Sequence, residues 1–459
     1  MKHENDLGKD SIKSLVWHIA LPSMLAQFVS VFYSIVDRMY IGNIPKIGEV
    51  ALAGVGVAGP VVTLVGAFAF LIGIGGSPLM SIKLGEGDKA GAQKIVANCF
   101  LMLCVLSVFL TGIVMLLKDK LLMWFGASAT TFPYANEYFT IYLLGTVFAL
   151  LATGMNQFII CQGYAKAGMR SVLLGAILNI ILDPIFIFAL DLGVAGAAIA
   201  TVLAQLGSCI YVLLFLFRGR APIKITFGGY DLKIMRRVLA VGFTSFLIIA
   251  LDNVMIIAMN AVLQKHGGME GDMWVTCATI LQSFMLIVTM PLGGITGGTQ
   301  TILGFNYGAR QPERVLGAQK YIFRLCLGYT AVMFLLAQIV PQLFVYIFTR
   351  DVRYVATTVW AIRVYTLGVI PLALQYAIVD GFTGIGAVRV SLPLSFWRKS
   401  IYFVSLFLLP LFFGVRAAFF AEVISDFVGT AVSLCVYLLV MKRIVWQRAE
   451  SCIEPQNVV

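Results

Sequence analysis

The segment "RGRAPIKITFGGYDLKIMRR" (residues 218–237) divides the 459-residue sequence near its middle. It carries six of the 33 basic residues, whereas the preceding stretch 192–217 contains no Asp, Glu, Lys or Arg. A short basic segment between two long apolar halves is typical of a loop that connects two membrane-embedded bundles. We therefore predict an N-terminal bundle over 1–217, a cytoplasmic linker over 218–237 and a C-terminal bundle over 238–459.

The composition predicts a multi-pass membrane protein. Hydrophobic residues make up 60% of the chain and charged residues only 12%, where soluble proteins carry about 25% charged residues. The mean hydropathy is +0.93. Four further windows lack charged residues (51–82, 95–117, 273–309 and 325–349). Each is long enough for a helical span of about 20 residues.

Hydropathy predicts an all-α membrane protein with twelve transmembrane helices, six on each side of the linker. Their approximate ranges are 15–40, 51–82, 95–117, 138–161, 172–190, 195–217, 238–263, 273–303, 325–347, 364–384, 400–413 and 417–441.

The basic residues predict the orientation of these helices. In a twelve-span arrangement, 24 Lys and Arg residues lie on the side of the termini and the linker, 8 lie on the opposite side, and Arg38 lies within the first span. Basic residues accumulate on the cytoplasmic side of a membrane protein, so both termini are expected in the cytoplasm. The net charge of +11 is spread over many short loops, so we expect no nucleic-acid partner.

Three motifs recur in the same order in the two halves. "KLGEGDKAGAQK" (83–94) resembles the end of "NYGARQPERVLGAQK" (306–320), and "QGYAKAGMR" (162–170) resembles "DGFTGIGAVR" (380–389). "GVAGAAIATVLAQ" (193–205) likewise parallels "GVRAAFFAEVISD" (414–426). A shared offset of about 220 residues indicates an internal duplication. The sequence therefore predicts two pseudo-symmetric six-helix bundles.

The fifth predicted helix, "NIILDPIFIF" (179–188), carries polar residues where a span should be apolar. An Asp at the bilayer centre costs about 2.5–3.5 kcal/mol, so Asp183 is a functional candidate. Asn179 lies four residues earlier on the same helix face, and Pro184 leaves one carbonyl without its helical donor. The alternative interpretation is a kinked packing helix in which Asp183 pairs with a neighbouring helix.

Two other residues of the N-terminal half are candidates. Asp37 lies in the first span and is followed by Arg38, so the competing interpretation is an Asp–Arg pair at the interface. Thr201 lies in the sixth span, where a hydrogen bond to its own helix backbone is equally consistent with the sequence.

The C-terminal half repeats no "NxxxDP" motif, and Asn179 aligns near Arg398. Its acidic candidates are Asp252, Asp380, Glu422 and Asp426. Either they take part in cation coupling or they pair with Arg398, Lys399 or Arg416. Methionines within the spans could line an adaptable pocket, but core packing is the favoured interpretation for Met155, Met255, Met259, Met285 and Met290.

Neither an enzyme nor a metalloprotein is indicated. The sequence has no acidic cluster for Mg²⁺, HExxH, GxSxG or Walker loop. The three histidines are scattered and the eight cysteines form no CxxC motif, so we expect no disulfide, no histidine metal site and no cofactor.

The basic linker, the "LGEGDKAGAQK" and "NYGARQPERV" loops, and "NIILDPIFIF" followed by "GVAGAAIAT" resemble the MATE family, the multidrug and toxic compound extrusion transporters. The resemblance covers essentially the whole chain. It implies a monomeric antiporter that exports cationic, amphipathic drugs, antibiotics among them, in exchange for Na⁺ or H⁺. The short loops favour a bacterial inner membrane.

The resemblance also implies a cation site. Asp37, Asn179, Asp183 and Thr201 match the site positions of MATE N-terminal bundles, and they would be the Na⁺ ligands if Na⁺ is the coupling ion. The alternative function is a lipid-linked oligosaccharide flippase of the related superfamily. Such flippases have larger cationic cavities, whereas the candidate residues within the spans here are acidic.

Overall fold

The computed structural model describes residues 6–125, 127–219 and 221–450, apart from the side chain of Glu49. These ranges are helical and contain no strand. The helices before the linker are α1 (Ile12–Gly42), α2 (Gly48–Gly85), α3 (Lys89–Trp124), α4 (Phe132–Leu144), α5 (Thr146–Ile160), α6 (Ala165–Pro184) and α7 (Gly193–Arg218). Those after it are α8 (Leu232–Gly267), α9 (Gly271–Gly308), α10 (Pro312–Ile339), α11 (Pro341–Val345), α12 (Val352–Tyr365), α13 (Val369–Gly384), α14 (Val388–Phe413) and α15 (Phe420–Glu450).

Ten helical stretches within the described ranges are long and apolar enough to cross a membrane. The bent pair α4 and α5 forms an eleventh, and the stretch Leu232–Gly308 contains both α8 and α9. The predicted all-helical membrane fold with about twelve spans is therefore confirmed.

The helices group into two compact units. The first unit includes Leu21–Ile249, and the second includes Leu7–Ala20 and the described residues from Ala250 onward. Within the second unit, the Arg314 guanidinium donates hydrogen bonds to the carbonyls of Leu7 and Asp10, which holds the start of the chain there. The predicted domain boundaries follow the sequence repeat, and they stay a prediction.

The backbone repeats with the spacing that the sequence motifs predict. Among the described residues, eight with positive φ form four pairs separated by 221 to 223 residues: Lys46 and Gly268, Gly87 and Arg310, Gly163 and Gly386, and Gly193 and Gly414. Each pair occupies the corresponding turn before or between helices of the two halves. A left-handed residue is rare outside such turns, so this recurrence supports an internal duplication independently of the sequence match.

Two predicted helices are broken in the structure. The predicted helix 138–161 is α4 and α5, which meet at Gly145 with a bend of 57°. A Cβ at Gly145 would lie 2.5 Å from Cγ2 of Val202, so α7 packs directly into the bend. The predicted helix 364–384 starts earlier, as α12, and passes through a 3₁₀ turn, Thr366–Gly368, before α13. Gly145 and Gly368 are thus equivalent bends of the two halves.

The predicted eleventh helix, 400–413, begins too late in the chain. Helix α14 begins at Val388 and includes Arg398 and Lys399 as buried residues. The prediction assigns these two basic residues to a loop, because an unpaired charge in a span is costly. Their acidic partners on other helices remove that cost, and without them the basic bias falls from 24 to 22 residues against 8.

Small residues bring α6 and α7 together at the candidate site. A Cβ at Gly207 would lie 2.5 Å from Cδ1 of Leu178, and Gly175 faces the hydroxyl of Ser208. At the start of α7, a Cβ at Gly196 would lie 2.6 Å from the carbonyl oxygen of Phe186. The glycine- and alanine-rich motif therefore allows close helix contact.

The linker is packed on the first unit. Ala221, Ile223 and Ile225 alternate with exposed residues and are 3–5% exposed. The backbone N–H of Ile223 donates to Gln162 Oε1 at 2.8 Å. In the second unit, the core contains Met255, Met259 and Met285, as the packing interpretation of these methionines predicts.

Candidate cation site

The position of Asp183 follows from the break at the end of α6. Pro184 ends the α-helix, and Ile185–Ala189 continue as a π-helical turn. The predicted disturbance of the helix at Pro184 is therefore present. Asp183 and Asn179 precede it on one helix face and are 0% and 2% exposed.

Asn179 connects Asp183 to α7. Its side-chain nitrogen Nδ2 donates to Asp183 Oδ1 at 3.1 Å and to Thr201 Oγ1 at 3.4 Å. The contact with a carboxylate oxygen fixes which end of the Asn179 amide is the nitrogen. The amide oxygen of Asn179 therefore points away from Asp183.

The fourth predicted residue joins this group from α1. The carboxyl groups of Asp37 and Asp183 are in hydrogen-bonding contact with each other. Two carboxylates this close repel one another unless a proton or another cation lies between them. The structure thus brings all four candidates, Asp37, Asn179, Asp183 and Thr201, into one cluster of the first unit.

Three oxygens of this cluster are buried without a hydrogen-bond donor: Asp37 Oδ1, Asn179 Oδ1 and Asp183 Oδ2. A buried acceptor that lacks a donor is destabilising. Carboxylate, amide and hydroxyl oxygens are ligands for hard cations such as Na⁺ or for a proton shared by the carboxylates. The donor set fits such a cation. The described parts of the chain contain no group of three or more His, Cys, Asp or Glu side chains suited to a metal ion.

Aromatic residues that sequence reasoning missed surround the carboxylates. The Tyr138 hydroxyl is hydrogen-bonded to Thr201, and the Tyr142 hydroxyl is hydrogen-bonded to Gln205. The two rings on α4 are stacked, with centroids 6.3 Å apart. Tyr33 lies near Asp37 and Asp183. Their spacing of four residues on α4 is the only sequence signal that could have indicated Tyr138 and Tyr142.

The acidic candidates of the second unit are paired differently. Arg398 Nη1 donates to Glu422 Oε1 at 2.9 Å and to Asp426 Oδ1 at 2.8 Å. Lys399 forms an ion pair with Asp252. The pairing interpretation left open by the sequence therefore describes these three carboxylates.

The remaining acidic candidate and the remaining basic partner lie elsewhere in the second unit. Asp380 is within hydrogen-bonding reach of Thr296 and Gln300. The Arg416 guanidinium lies 5.5 Å from the ring centroid of Trp360 and 5.9 Å from that of Trp274. Arg416 therefore makes cation–π contacts instead of the carboxylate pair that the sequence allowed.

Comparison with known proteins agrees with this geometry. The sequence profile of the MatE family matches residues 22–185 and 245–405, which together are most of the chain. The chain belongs to the MATE family. The two matched stretches start about 220 residues apart, as the duplication predicts. MATE proteins are membrane transporters.

Curated relatives are similar over almost their whole length. The "Multidrug export protein MepA" of Staphylococcus haemolyticus (strain JCSC1435) is 21% identical over 443 residues, which cover 96% of each chain. The protein of the same name from Staphylococcus aureus (strain N315) is 21% identical and covers 94% of this chain and 95% of its own.

Solved structures share the fold. A multidrug resistance MATE family transporter of the MOP superfamily, in an outward-facing conformation, superposes with a TM-score of 0.89 at 23% identity. It covers 95% of this chain and 98% of its own. A MATE structure in the straight conformation also gives a TM-score of 0.89, at 24% identity. The predicted MATE fold is confirmed.

Proposed function

We propose that this MATE protein is a secondary-active multidrug exporter that exchanges cationic, amphipathic compounds for Na⁺ or H⁺. The observation that carries the proposal is the pair of contacting carboxylates, Asp37 and Asp183, with three buried oxygens around them that have no donor. The site is built to hold positive charge. We assign Asp183 as the coupling carboxylate, with Asp37, Asn179 and Thr201 as the other ligands.

A cationic substrate is consistent with the chemistry of the surrounding residues. Tyr33, Tyr138 and Tyr142 place aromatic surface beside the carboxylates. Aromatic faces and carboxylates together favour organic cations over anions. The relatives named as multidrug export proteins support export as the direction and a broad substrate range.

The exchange requires that the coupling cation and the drug compete for one negative site. When a proton or Na⁺ relieves the repulsion between Asp37 and Asp183, the site has no charge left to attract an organic cation. When the cation leaves, the negative charge returns and the drug is bound again. We place the two bundles at 1–217 and 238–459, in a bacterial cytoplasmic membrane, with both termini in the cytoplasm and one chain as the working unit.

Transport in proteoliposomes tests this function. An outwardly directed drug movement should follow an imposed Na⁺ gradient or an imposed pH gradient when each is applied separately, and ethidium is a suitable fluorescent cation. In a host that lacks its own pumps, expression should lower ethidium accumulation. Unchanged accumulation, with the protein present in the membrane, together with no gradient-driven transport in vesicles, would contradict the proposal.

A further inference from the structure

The second unit contains a buried cluster of charges that the proposed exchange does not use. Arg398, on α14, is hydrogen-bonded through one guanidinium nitrogen to both Glu422 and Asp426 on α15. The three side chains are 7%, 9% and 1% exposed. Charges this well buried remain only when they are paired.

The two carboxylates correspond by repeat to positions of the cation site. Gly193, at the start of α7, and Gly414, before α15, both have positive φ and are 221 residues apart. The same offset takes Thr201 to Glu422 and Gln205 to Asp426. Glu422 and Asp426 therefore lie on the face of α15 that matches the site-facing side of α7.

Arg398 corresponds to the polar face of α6. The sequence motifs around Arg170 and Arg389 align Asn179 with Arg398, whereas the starts of α6 and α14 align it with Tyr402. These two registers differ by four residues, which is about one helical turn and keeps the same face. In either register, the guanidinium comes from the helix face that carries Asn179 and Asp183 in the first unit.

The packing around this cluster is shaped to hold the ion pair. A Cβ at Gly429 would lie 2.8 Å from Cγ of Arg398, and a Cβ at Gly368 would lie 2.6 Å from Oδ2 of Asp426. The second oxygens, Glu422 Oε2 and Asp426 Oδ2, are buried without a donor. Two glycines thus make room for a cation and two carboxylates in a well-packed interior.

The two units therefore hold two carboxylates each, but only one unit supplies its own positive charge to them. In the first unit, Asp37 and Asp183 accept no hydrogen bond from Lys or Arg among the hydrogen bonds of the described residues. We propose that the second unit carries a copy of the cation site that is permanently occupied by the Arg398 guanidinium. Cation exchange is then confined to the first unit. This inference rests on the proposed function of the first unit.

Removal of the guanidinium tests the inference, because it should leave a vacant cation site. In an Asp183→Asn background, which silences the first unit, the thermal unfolding temperature of the detergent-purified protein should be insensitive to replacing choline by Na⁺. Adding Arg398→Met leaves Glu422 and Asp426 without a counter-charge. This variant should be stabilised by at least about 3 °C by excess Na⁺ at alkaline pH, or by a comparable shift on acidification.

The matched control neutralises the same carboxylates. Arg398→Met combined with Glu422→Gln and Asp426→Asn should lose both responses. If the Arg398→Met protein does not fold, Arg398→Met with Glu422→Gln keeps one carboxylate and should respond to acidification. The inference is overturned if these variants respond no more than the Asp183→Asn parent. Because the readout is stability and not transport, its failure is distinguishable from failure of the proposed function.

Discussion

The carboxylate of Asp183 decides whether the transporter can couple drug export to a gradient. It is 0% exposed and in contact with Asp37, so its charge is both strongly felt and available to a cation. Asp183→Asn preserves the size of the side chain and removes the charge. We expect gradient-driven ethidium export to be abolished while the protein folds normally.

A matched carboxylate variant separates coupling from a general effect of charge. Asp119, on α3, is 69% exposed at its side chain, so Asp119→Asn should transport at the wild-type rate. If Asp183→Asn also transports at that rate under a gradient, the assignment of the coupling residue is wrong. Asp380, which lies outside the ion pairs of the second unit, would then be the next residue to test.

The amide of Asn179 supports Asp183 but carries no charge. It contributes one oxygen without a donor and one hydrogen bond to Asp183 Oδ1. Asn179→Ala removes both, and a lost hydrogen bond to a charged group costs about 1.5–3 kcal/mol. We expect apparent affinity for the coupling cation to fall by about tenfold or more, with maximal transport largely retained at saturating cation. An effect as complete as that of Asp183→Asn would contradict this supporting role.

At the scale of the element, the start of α7 depends on a side chain that is absent. A Cβ at Gly196 would meet the Phe186 carbonyl in the π-helical turn at 2.6 Å. Overpacking costs about 1–3 kcal/mol, so Gly196→Ala should lower the unfolding temperature. Gly112, on α3, faces open space, with no atom within 4 Å of the position that a Cβ would take, so Gly112→Ala should raise stability by up to about 1 kcal/mol. Equal effects of the two substitutions would refute the packing argument.

The N-terminus of α3 is stabilised by a side chain that its repeat equivalent lacks. Asp88 Oδ1 accepts from the Gly91 N–H at 2.7 Å, and this hydrogen bond, with Lys83 nearby, holds the pKa of Asp88 below its ordinary value. A lowered pKa means that the contribution is present above the ordinary pKa and is lost as pH falls through the folded-state value.

Asp88→Ala should therefore lower the unfolding temperature at neutral pH, and its difference from the wild type should narrow in acid. The control is Gln311→Ala, since Gln311 begins α10 without a side-chain cap hydrogen bond. A thermal shift series across pH measures both variants. A difference for Asp88→Ala that does not change with pH would show that the carboxylate is not the stabilising group.

Sequence patterns predict the helices of this chain where charge and apolarity separate, and fail where charges are buried in pairs. Pro184 indicates the break at the end of α6 because proline has no N–H to donate. Arg398 hides the first half of α14, because its partners Glu422 and Asp426 are 24 and 28 residues away. The bends at Gly145 and Gly368 depend on contacts with α7 and α15, which no local pattern contains.

At the scale of the whole molecule, the duplication was predictable from three sequence motifs, and so were the four residues of the candidate site. The tyrosines around the site were not, because Tyr138 and Tyr142 read as ordinary apolar-face residues of a span. Their role depends on hydrogen bonds to Thr201 and Gln205 on another helix. Local periodicity thus recovers the charged ligands but not the walls around them.

The orientation of the molecule is open to a direct test. The bias of basic residues predicts that the linker is cytoplasmic, and Lys224 within it is exposed. After replacement of Cys435, which is exposed, and of Cys452, Lys224→Cys should react with an impermeant thiol reagent only from the cytoplasmic side. Lys120→Cys, on the opposite predicted side, should react only from outside. The reverse pattern would overturn the predicted topology.

The final prediction concerns how the two ligands influence each other across the transport cycle. If the coupling cation and the drug both neutralise Asp37 and Asp183, binding of one must weaken binding of the other. Thermodynamic linkage makes the two effects equal, so Na⁺ or H⁺ should lower drug affinity by the same factor by which the drug lowers cation affinity.

Titration of the purified protein with ethidium at several Na⁺ concentrations and pH values, followed by the converse titration, measures both factors. Asp183→Asn should reduce the mutual effect towards none, whereas Asp119→Asn should leave it unchanged. Equal drug affinity at all cation concentrations would mean that the two ligands do not share the carboxylate pair. Export would then have to be coupled through a second site, and Asp183 would serve only one of the two ligands.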